Sequence, residues 1–251
     1  MNLKMIVTDL DRTLLRSDHT ISEYTFEILT RYRKHGIKVV FATARPKNRV
    51  DELDIADLAD VIILNNGSAV YHDEISETKF GIDAHTVKDI VHQLKSEFHD
   101  MRMWVVYSDR AYKNCDVSDY WAGTSYDGFD NLPDIPADKI CLRAGKEIFQ
   151  TIREHLPETL YAQLIRDPLI FIANKLATKW NATCLLAKEL QINNSEIVCF
   201  GDDFNDLEML KNCGIGVAVS NALNEVKAVS DYVCGTNDED GVAKWLDENV
   251  L

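Results

Sequence analysis

Two groups of acidic residues have the types and the spacing for metal-dependent chemistry. The first is Asp9-Leu10-Asp11-Arg12-Thr13, which directly follows the apolar run Met5–Thr8. The second is Gly201-Asp202-Asp203-Phe204-Asn205-Asp206, which follows the apolar run Ile197–Phe200. Asp-rich loops of this kind often only cap helices and form turns. If the two runs are neighbouring parallel strands, however, four or five carboxylates converge at one edge of a sheet. Their mutual repulsion favours a bound cation, and oxygen-only ligands favour a hard ion such as Mg²⁺.

The strands that would position these carboxylates are predicted from apolar runs at the two ends of the chain. The runs are rich in Val and Ile and do not alternate with polar residues, which is typical of strands covered on both faces. They are Met5–Leu10, Lys38–Thr43, Val61–Leu64, Ile197–Phe200, Ile215–Val219 and Tyr232–Cys234. Helices are predicted over residues 22–34 and after residues 179, 206, 221 and 238. Alternating strands and helices predict an α/β fold, a Rossmann-like parallel sheet with helices on both faces.

The middle third of the chain follows a different pattern. Residues 84–99 predict an amphipathic helix, and a second helix is predicted over residues 146–155. Short strand-like segments that lie close together in sequence predict antiparallel hairpins. We therefore predict that residues 80–177 form an α+β module inserted into a core domain made of residues 1–79 and 178–251. This segment is called the inserted module below.

The composition excludes several classes of protein. Hydrophobic residues make up 46% of the 251 residues, which excludes wholesale disorder. The 41 acidic and 27 basic residues give a net charge of −14, which argues against nucleic acid or an anionic membrane as a partner. No apolar run reaches the roughly 20 residues that span a bilayer. Six cysteines without a Cys-x-x-Cys pair, and an acidic residue as early as Asp9, favour a reduced cytoplasmic protein.

The two acidic motifs resemble motifs one and four of the haloacid dehalogenase-like (HAD) hydrolases, Asp-x-Asp-x-Thr and Gly-Asp-x-x-Asn-Asp. The segment Phe41-Ala42-Thr43-Ala44-Arg45 resembles motif two, and Lys179 precedes a predicted helix where the motif-three lysine is expected. The inserted module resembles the large α/β cap of the Cof-type subfamily, as do Asn65–Val70 and Asp240–Ala243. The resemblance covers essentially the whole chain.

The chain departs from the family pattern at two positions and is ambiguous at a third. Arg12 stands where motif one usually has glycine, and Ala44 stands where motif two usually has glycine. A second lysine, Lys175, also lies near the motif-three position. We prefer Lys179 because a helix follows it and its spacing to Gly201 is typical of the family.

The resemblance implies a Mg²⁺-dependent phosphatase that hydrolyses small phosphorylated metabolites through an aspartyl-phosphate. It points to sugar phosphates first, and to nucleotide-like cofactors such as flavin mononucleotide or pyridoxal phosphate second. Asp9 would be the nucleophile and Asp11 the general acid and base. Thr43 and Lys179 would bind the transferring phosphoryl group. The remaining roles are also carried over from the family: metal binding by Asp9, Asp202 and the Asp11 backbone carbonyl, substrate binding by Thr43, Ala44, Arg45, Lys179 and Asn205, and support from Asp206 and Asp203.

Two other functions remain open at this stage. A phosphomutase would form the same aspartyl-phosphate but return the phosphoryl group to its substrate. A regulatory protein would bind a phosphorylated metabolite without turnover, although it would not need both acids of motif one. In each case we expect a small-molecule partner, no nucleic acid, no membrane, and a monomer or weak homodimer.

Overall fold

The computed structural model describes residues 2–53, 55–72, 75–118, 120–121, 123–166 and 168–249. The strands are β1 Met5–Thr8, β2 Lys38–Ala42, β3 Val61–Leu64, β4 Ala69–His72, β5 Ile75–Thr78, β6 Arg102–Tyr107, β7 Arg110–Lys113, β8 Thr124–Asp127, β9 Lys139–Arg143, β10 Leu160–Arg166, β11 Leu169–Asn174, β12 Ile197–Gly201, β13 Ile215–Ala218 and β14 Tyr232–Val233. The helices are α1 Glu23–Lys34, α2 Lys47–Asp51, α3 Ala84–Glu97, α4 Lys146–His155, α5 Lys179–Glu189, α6 Leu207–Asn212, α7 Asn224–Val229 and α8 Gly241–Asn249.

The first sheet has the strand order β14-β13-β12-β1-β2-β3-β4-β5. The six strands from β14 to β3 are parallel, which confirms the predicted α/β fold. Val39, Val40, Ile62, Ile63 and Val198 are almost fully buried, because helices cover the parallel strands.

An antiparallel hairpin of β4 and β5 extends the first sheet at one edge. This hairpin was not predicted from the sequence. Its residues are mixed in polarity, and Tyr71, His72 and Glu77 are only partly buried or exposed, so no apolar run marks it. An edge hairpin with one solvent-exposed face has no continuous apolar run, so it is harder to predict from sequence than a central strand.

The register of the first sheet brings the acidic motifs together. Thr8, the last residue of β1, lies opposite Phe200 of β12 and Phe41 of β2. The chain therefore leaves all three strands at the same edge, where the Asp9, Asp202 and Thr43 positions begin the following loops.

A second sheet has the strand order β10-β11-β9-β6-β7-β8 and is antiparallel except where β7 pairs with β8. Alternate residues of β6 point to opposite faces of the second sheet and pack in two different apolar clusters. Met103 and Val105 pack in a cluster with residues of α3 and α4. Trp104 and Val106 belong to the other cluster, together with Trp121 from the loop after β7.

The second sheet lies between residues 102 and 174, and the first sheet uses residues on both sides of it. The predicted boundaries of the inserted module, residues 80 and 177, fall in the two segments that connect the sheets. Whether the two parts behave as separate domains with these limits stays a prediction. Within the described part of the chain, no helix has both the length and the apolar character needed to cross a membrane.

Candidate active site

The motif-one loop turns sharply as it leaves β1. The Asp9 N–H donates to the Phe200 carbonyl oxygen at 3.0 Å, which ties the start of the loop to β12. Leu14 N–H donates back to the Asp9 carbonyl at 3.3 Å and closes the turn. Asp9 is buried, with 6% of its surface exposed.

The motif-four loop is organised around Asp206. One carboxylate oxygen of Asp206 accepts the backbone N–H groups of Asp202 at 2.9 Å and Asp203 at 3.2 Å. A side chain at Gly201 would place its Cβ 2.5 Å from the Asp206 side chain, so this position requires glycine. Asp203 accepts the N–H of Phe204 at 2.7 Å, which makes it a cap of the turn.

Lys179 is the first residue of α5 and is completely buried. Its ammonium group donates to Asp9 at 2.5 Å and to the second oxygen of Asp206 at 2.7 Å. The Thr178 side chain caps α5 by accepting the Asn181 N–H. Of the two lysines considered for motif three, Lys179 contacts the acidic cluster, whereas Lys175 lines a cavity beside β10.

Asp9, Asp202 and Asp206 each present a carboxylate oxygen within 4.8 Å of the others. Burial, with added repulsion from Asp206, raises the pKa of Asp202 to about 6. Burial also raises the pKa of Asp9, while Lys179 opposes that shift. Because Lys179 and backbone N–H groups occupy both oxygens of Asp206, Asp9 and Asp202 are the better metal ligands. Two buried carboxylates with raised pKa values and oxygen-only donors fit a Mg²⁺ ion.

Asp11 lies outside the cluster of Asp9, Asp202 and Asp206 and pairs with Arg45. The Arg45 guanidinium donates to both oxygens of Asp11, from Nε at 2.8 Å and from Nη2 at 2.5 Å. Arg45, which was predicted to bind substrate, forms a bidentate ion pair with the predicted acid and base, and its contact with substrate stays a prediction. Such a pair fixes the orientation of a carboxylate as well as its charge.

Thr43 is fully buried at the end of β2, and the exposed Ala44 follows it. The Thr43 hydroxyl oxygen accepts the Arg45 N–H at 3.1 Å, and the Thr43 N–H donates to the Ile63 carbonyl at 2.9 Å. Its hydroxyl hydrogen can therefore still be donated to a phosphoryl oxygen.

Asn205 contacts a second loop. Its side-chain amide donates to the Asn66 side chain at 2.9 Å, and its role in binding substrate stays a prediction. Asn66 lies in a loop, residues 65–68, for which the sequence analysis assigned no functional role. Asn65, Asn66 and Gly67 all have positive φ angles, and three such residues in succession are uncommon. The Asn-Asn-Gly triplet was the available signal, because these residue types tolerate that conformation best.

Gly67 brings the 65–68 loop against the start of α5. A Cβ at this position would lie 2.1 Å from the Thr178 carbonyl oxygen, and its φ angle is +107°. Only glycine satisfies both conditions. The close approach fixes the loop beside Lys179.

Arg12 occupies a left-handed conformation with φ of +63°, which explains why glycine is usual at this position. Its guanidinium lies 3.7 Å from Asp202, but the side chain is 67% exposed, so the ion pair contributes little to stability. We expect Arg12→Gly to be more stable than Arg12→Ala by about 1 kcal/mol, because both remove the ion pair and only glycine removes the Cβ strain. Urea unfolding of the two variants measures this difference, and equal stabilities would contradict it.

The chain is similar to known proteins over almost its whole length. A family model of haloacid dehalogenase-like hydrolases matches residues 6–246. YxeH of Bacillus subtilis, named as a phosphatase, is 30% identical over 99% of this chain and 98% of its own length. YcsE of Bacillus subtilis, named as a 5-amino-6-(5-phospho-D-ribitylamino)uracil phosphatase, is 27% identical over 100% of this chain and 97% of its own. The solved structure of the HAD subclass IIB sugar phosphatase BT4131 has a TM-score of 0.78 and 25% identity, covering 97% of this chain and 98% of its own.

Proposed function

The chain belongs to the haloacid dehalogenase-like hydrolase family, in its Cof-type subfamily, and we propose that it is a Mg²⁺-dependent phosphatase of small phosphorylated metabolites. Its family and its phosphatase relatives make it a phosphoric monoester hydrolase. The observation that carries the proposal is the buried contact of Lys179 with Asp9 and Asp206, next to Asp202. This cluster joins a nucleophile, a cation and two further carboxylates at one sheet edge.

Asp9 is the proposed nucleophile. One of its carboxylate oxygens forms a bond to phosphorus as the bond to the leaving oxygen breaks, which gives an aspartyl-phosphate. Lys179 and the Thr43 hydroxyl stabilise the charge on the transferring phosphoryl oxygens. Water then attacks phosphorus, phosphate leaves, and the Asp9 carboxylate is regenerated.

Asp11 is the proposed general acid and base. It gives a proton to the leaving alkoxide in the first step and takes one from the attacking water in the second. Its bidentate pair with Arg45 would hold the carboxyl group at the entrance of the site between these steps. A dehalogenase is less favoured, because a departing halide needs no proton donor.

The metal site would use Asp9, Asp202 and the backbone carbonyl of Asp11. A bound Mg²⁺ would offset the charge of the substrate phosphate and of the clustered carboxylates. The protein's own contribution is to keep Asp206 bonded to Lys179 and to the backbone, so that Asp9 and Asp202 remain available.

The proposed substrates are phosphate monoesters of polyhydroxylated carbon chains, sugar phosphates first. Two relatives support this class, since YcsE is named for a phosphoribityl compound and BT4131 is titled a sugar phosphatase. A cleft of about 740 Å³ between the two sheets has room for a small molecule, but its lining includes none of the proposed catalytic residues. Lys47, Asn48 and Tyr71 line one wall, and Tyr107 and Trp121 line the other. The cytoplasmic location and the monomer or weak homodimer stay predictions.

Release of phosphate from a generic aryl phosphate tests the activity directly. We expect turnover with Mg²⁺, and a loss of at least about 100-fold after chelation, restored when Mg²⁺ is added back. Folded protein that releases no phosphate with Mg²⁺ would favour the non-catalytic binder. With a hexose phosphate as substrate, an isomeric sugar phosphate in place of free phosphate would favour the phosphomutase.

A further inference from the structure

Asp138 is a buried carboxylate that the proposed mechanism does not use. It lies in the inserted module, directly before β9, and is fully buried. Its own N–H donates to the Val106 carbonyl of β6 at 2.8 Å, which fixes its backbone to the second sheet. Its side chain, however, bonds to residues of the first sheet and its loops.

Two donors from the other side of the boundary hold this carboxylate. Asn65 Nδ2 donates to one oxygen at 2.9 Å, and the Thr78 hydroxyl donates to the other at 2.8 Å. Burial raises the pKa of Asp138 to about 6, and the hydrogen bond from Thr78 acts against that shift. A carboxylate this deeply buried is tolerated only while its hydrogen bonds are made.

The contact of Asp138 with Asn65 and Thr78 lies near the two chain connections between the sheets. The chain crosses between the two sheets twice, and Asn174 Nδ2 joins the crossings by donating to the Gly81 carbonyl at 2.9 Å. Two adjacent connections are the arrangement about which one part of a chain can rotate relative to the rest. Asp138 adds an attachment point that is not one of the covalent connections.

Asn65, which bonds to Asp138, also lies next to the proposed catalytic groups. The Asn65 N–H donates to the Arg45 carbonyl at 3.1 Å, and the Asn66 N–H donates to the Thr43 carbonyl at 2.9 Å. Arg45 in turn holds Asp11 through its guanidinium. Asn65 therefore contacts both the inserted module and the backbone of motif two.

We propose that Asp138 is a latch residue, which docks on Asn65 and Thr78, sets the angle of the inserted module over the carboxylate cluster, and positions motif two for catalysis. Asp138 touches no proposed reacting atom, so it is a positioning residue. The kinetic consequence of the latch rests on the proposed phosphatase function, whereas its effect on the angle of the module does not.

The sharpest test exchanges the two partners. Asp138→Asn alone is a weak probe, because Asn65 Oδ1 is buried without a hydrogen-bond partner in the described structure and could turn to accept the new amide. Asn65→Asp instead sets two buried carboxylates against each other. The double variant Asn65→Asp with Asp138→Asn again pairs an amide donor with a carboxylate acceptor. The amide is then at position 138 and the carboxylate at position 65.

We expect Asn65→Asp to raise the KM for a sugar phosphate about tenfold and to increase the radius of gyration in X-ray scattering. The double variant should return both quantities close to those of the wild type. Asp134→Asn is the matched control, because Asp134 is exposed on the same segment and pairs only with Lys88 among its described contacts. It should behave as the wild type does.

Two results would overturn the latch: unchanged KM and radius in Asn65→Asp, or a double variant that is impaired as much as the single one. If Asn65→Asp does not fold, Thr78→Val removes one donor at nearly constant shape, and an unchanged KM and radius in that variant would count against the proposal. If the wild type has no phosphatase activity, the proposed function fails, and the scattering comparison still decides the latch.

Discussion

Replacement of Asp9 by asparagine is expected to abolish turnover while the protein stays folded. An amide oxygen is a poor nucleophile, and loss of a covalent nucleophile typically lowers kcat by about 10⁴ to 10⁶. The fold should survive because the two side chains have nearly the same shape. Lys179 also keeps its hydrogen bond to Asp206.

The variant should be at least as stable as the wild type in metal-free buffer. Asp9 is buried beside Asp202 and Asp206, so removing its charge relieves repulsion and a desolvation cost, in exchange for a weaker bond to Lys179. We expect a change of no more than about 1 kcal/mol in the free energy of unfolding. Phosphate release and urea unfolding on the same preparation measure the two effects.

Asp57→Asn is a suitable control, since Asp57 is an exposed acid in the loop between α2 and β3. It changes the net charge by the same amount and should leave kcat unchanged. Residual turnover above about 1% in Asp9→Asn would remove Asp9 from the nucleophile role. Loss of activity accompanied by unfolding would leave the role of Asp9 to be tested with a phosphate-trapping experiment on the wild type, in which a labelled aspartyl residue at position 9 is the expected product.

The convergence of the acidic motifs could be predicted because strand order follows from simple rules. Buried, β-branched runs predicted parallel strands, and ligands of open α/β sheets gather where the strands end. Asp9 and Asp202, 193 positions apart, could therefore be placed at one site from the sequence alone. The helix that carries Lys179 was also predicted, because a helical pattern follows this residue.

The orientations of individual side chains could not be predicted in this way. The sequence offered Arg45 for a phosphoryl group, yet its guanidinium binds Asp11, because both side chains lie at the exposed rim where several partners are within reach. Asn205 and Asn66 are 139 positions apart, and nothing in their spacing indicates a contact. The contact of Asp138 with Asn65 depends on how two separately predicted parts pack, which hydrophobic periodicity does not determine.

Lys179→Met is expected to have the largest combined effect on stability and activity. Methionine nearly fills the volume of the lysine but leaves Asp9 and Asp206 without the cation that both contact. Removing one partner of a buried ion pair typically costs about 3 to 5 kcal/mol. Activity should also fall by at least about 10³-fold, because a charge that stabilises the phosphoryl oxygens is lost. Urea unfolding in metal-free buffer and phosphate release with Mg²⁺ measure the two losses.

The pH dependence of the folding stability of Lys179→Met distinguishes a charge effect from a packing effect, and so does a second variant. Burial raises the pKa of Asp9 and Lys179 opposes that shift, so without Lys179 the pKa of Asp9 should rise further in the folded state. Acids whose folded pKa exceeds the unfolded value stabilise the fold at low pH and lose that contribution as the pH rises through the folded pKa. The loss of folding stability in Lys179→Met should therefore shrink between pH 8 and pH 5, whereas a packing defect would not depend on pH.

Adding Asp206→Asn to Lys179→Met should regain part of the folding stability, because one unpaired charge is removed. The amide oxygen can still accept the backbone N–H groups of Asp202 and Asp203. The double variant should regain no activity, since the Lys179 ammonium group is still absent. A pH-independent deficit that Asp206→Asn does not reduce would contradict the electrostatic role of Lys179.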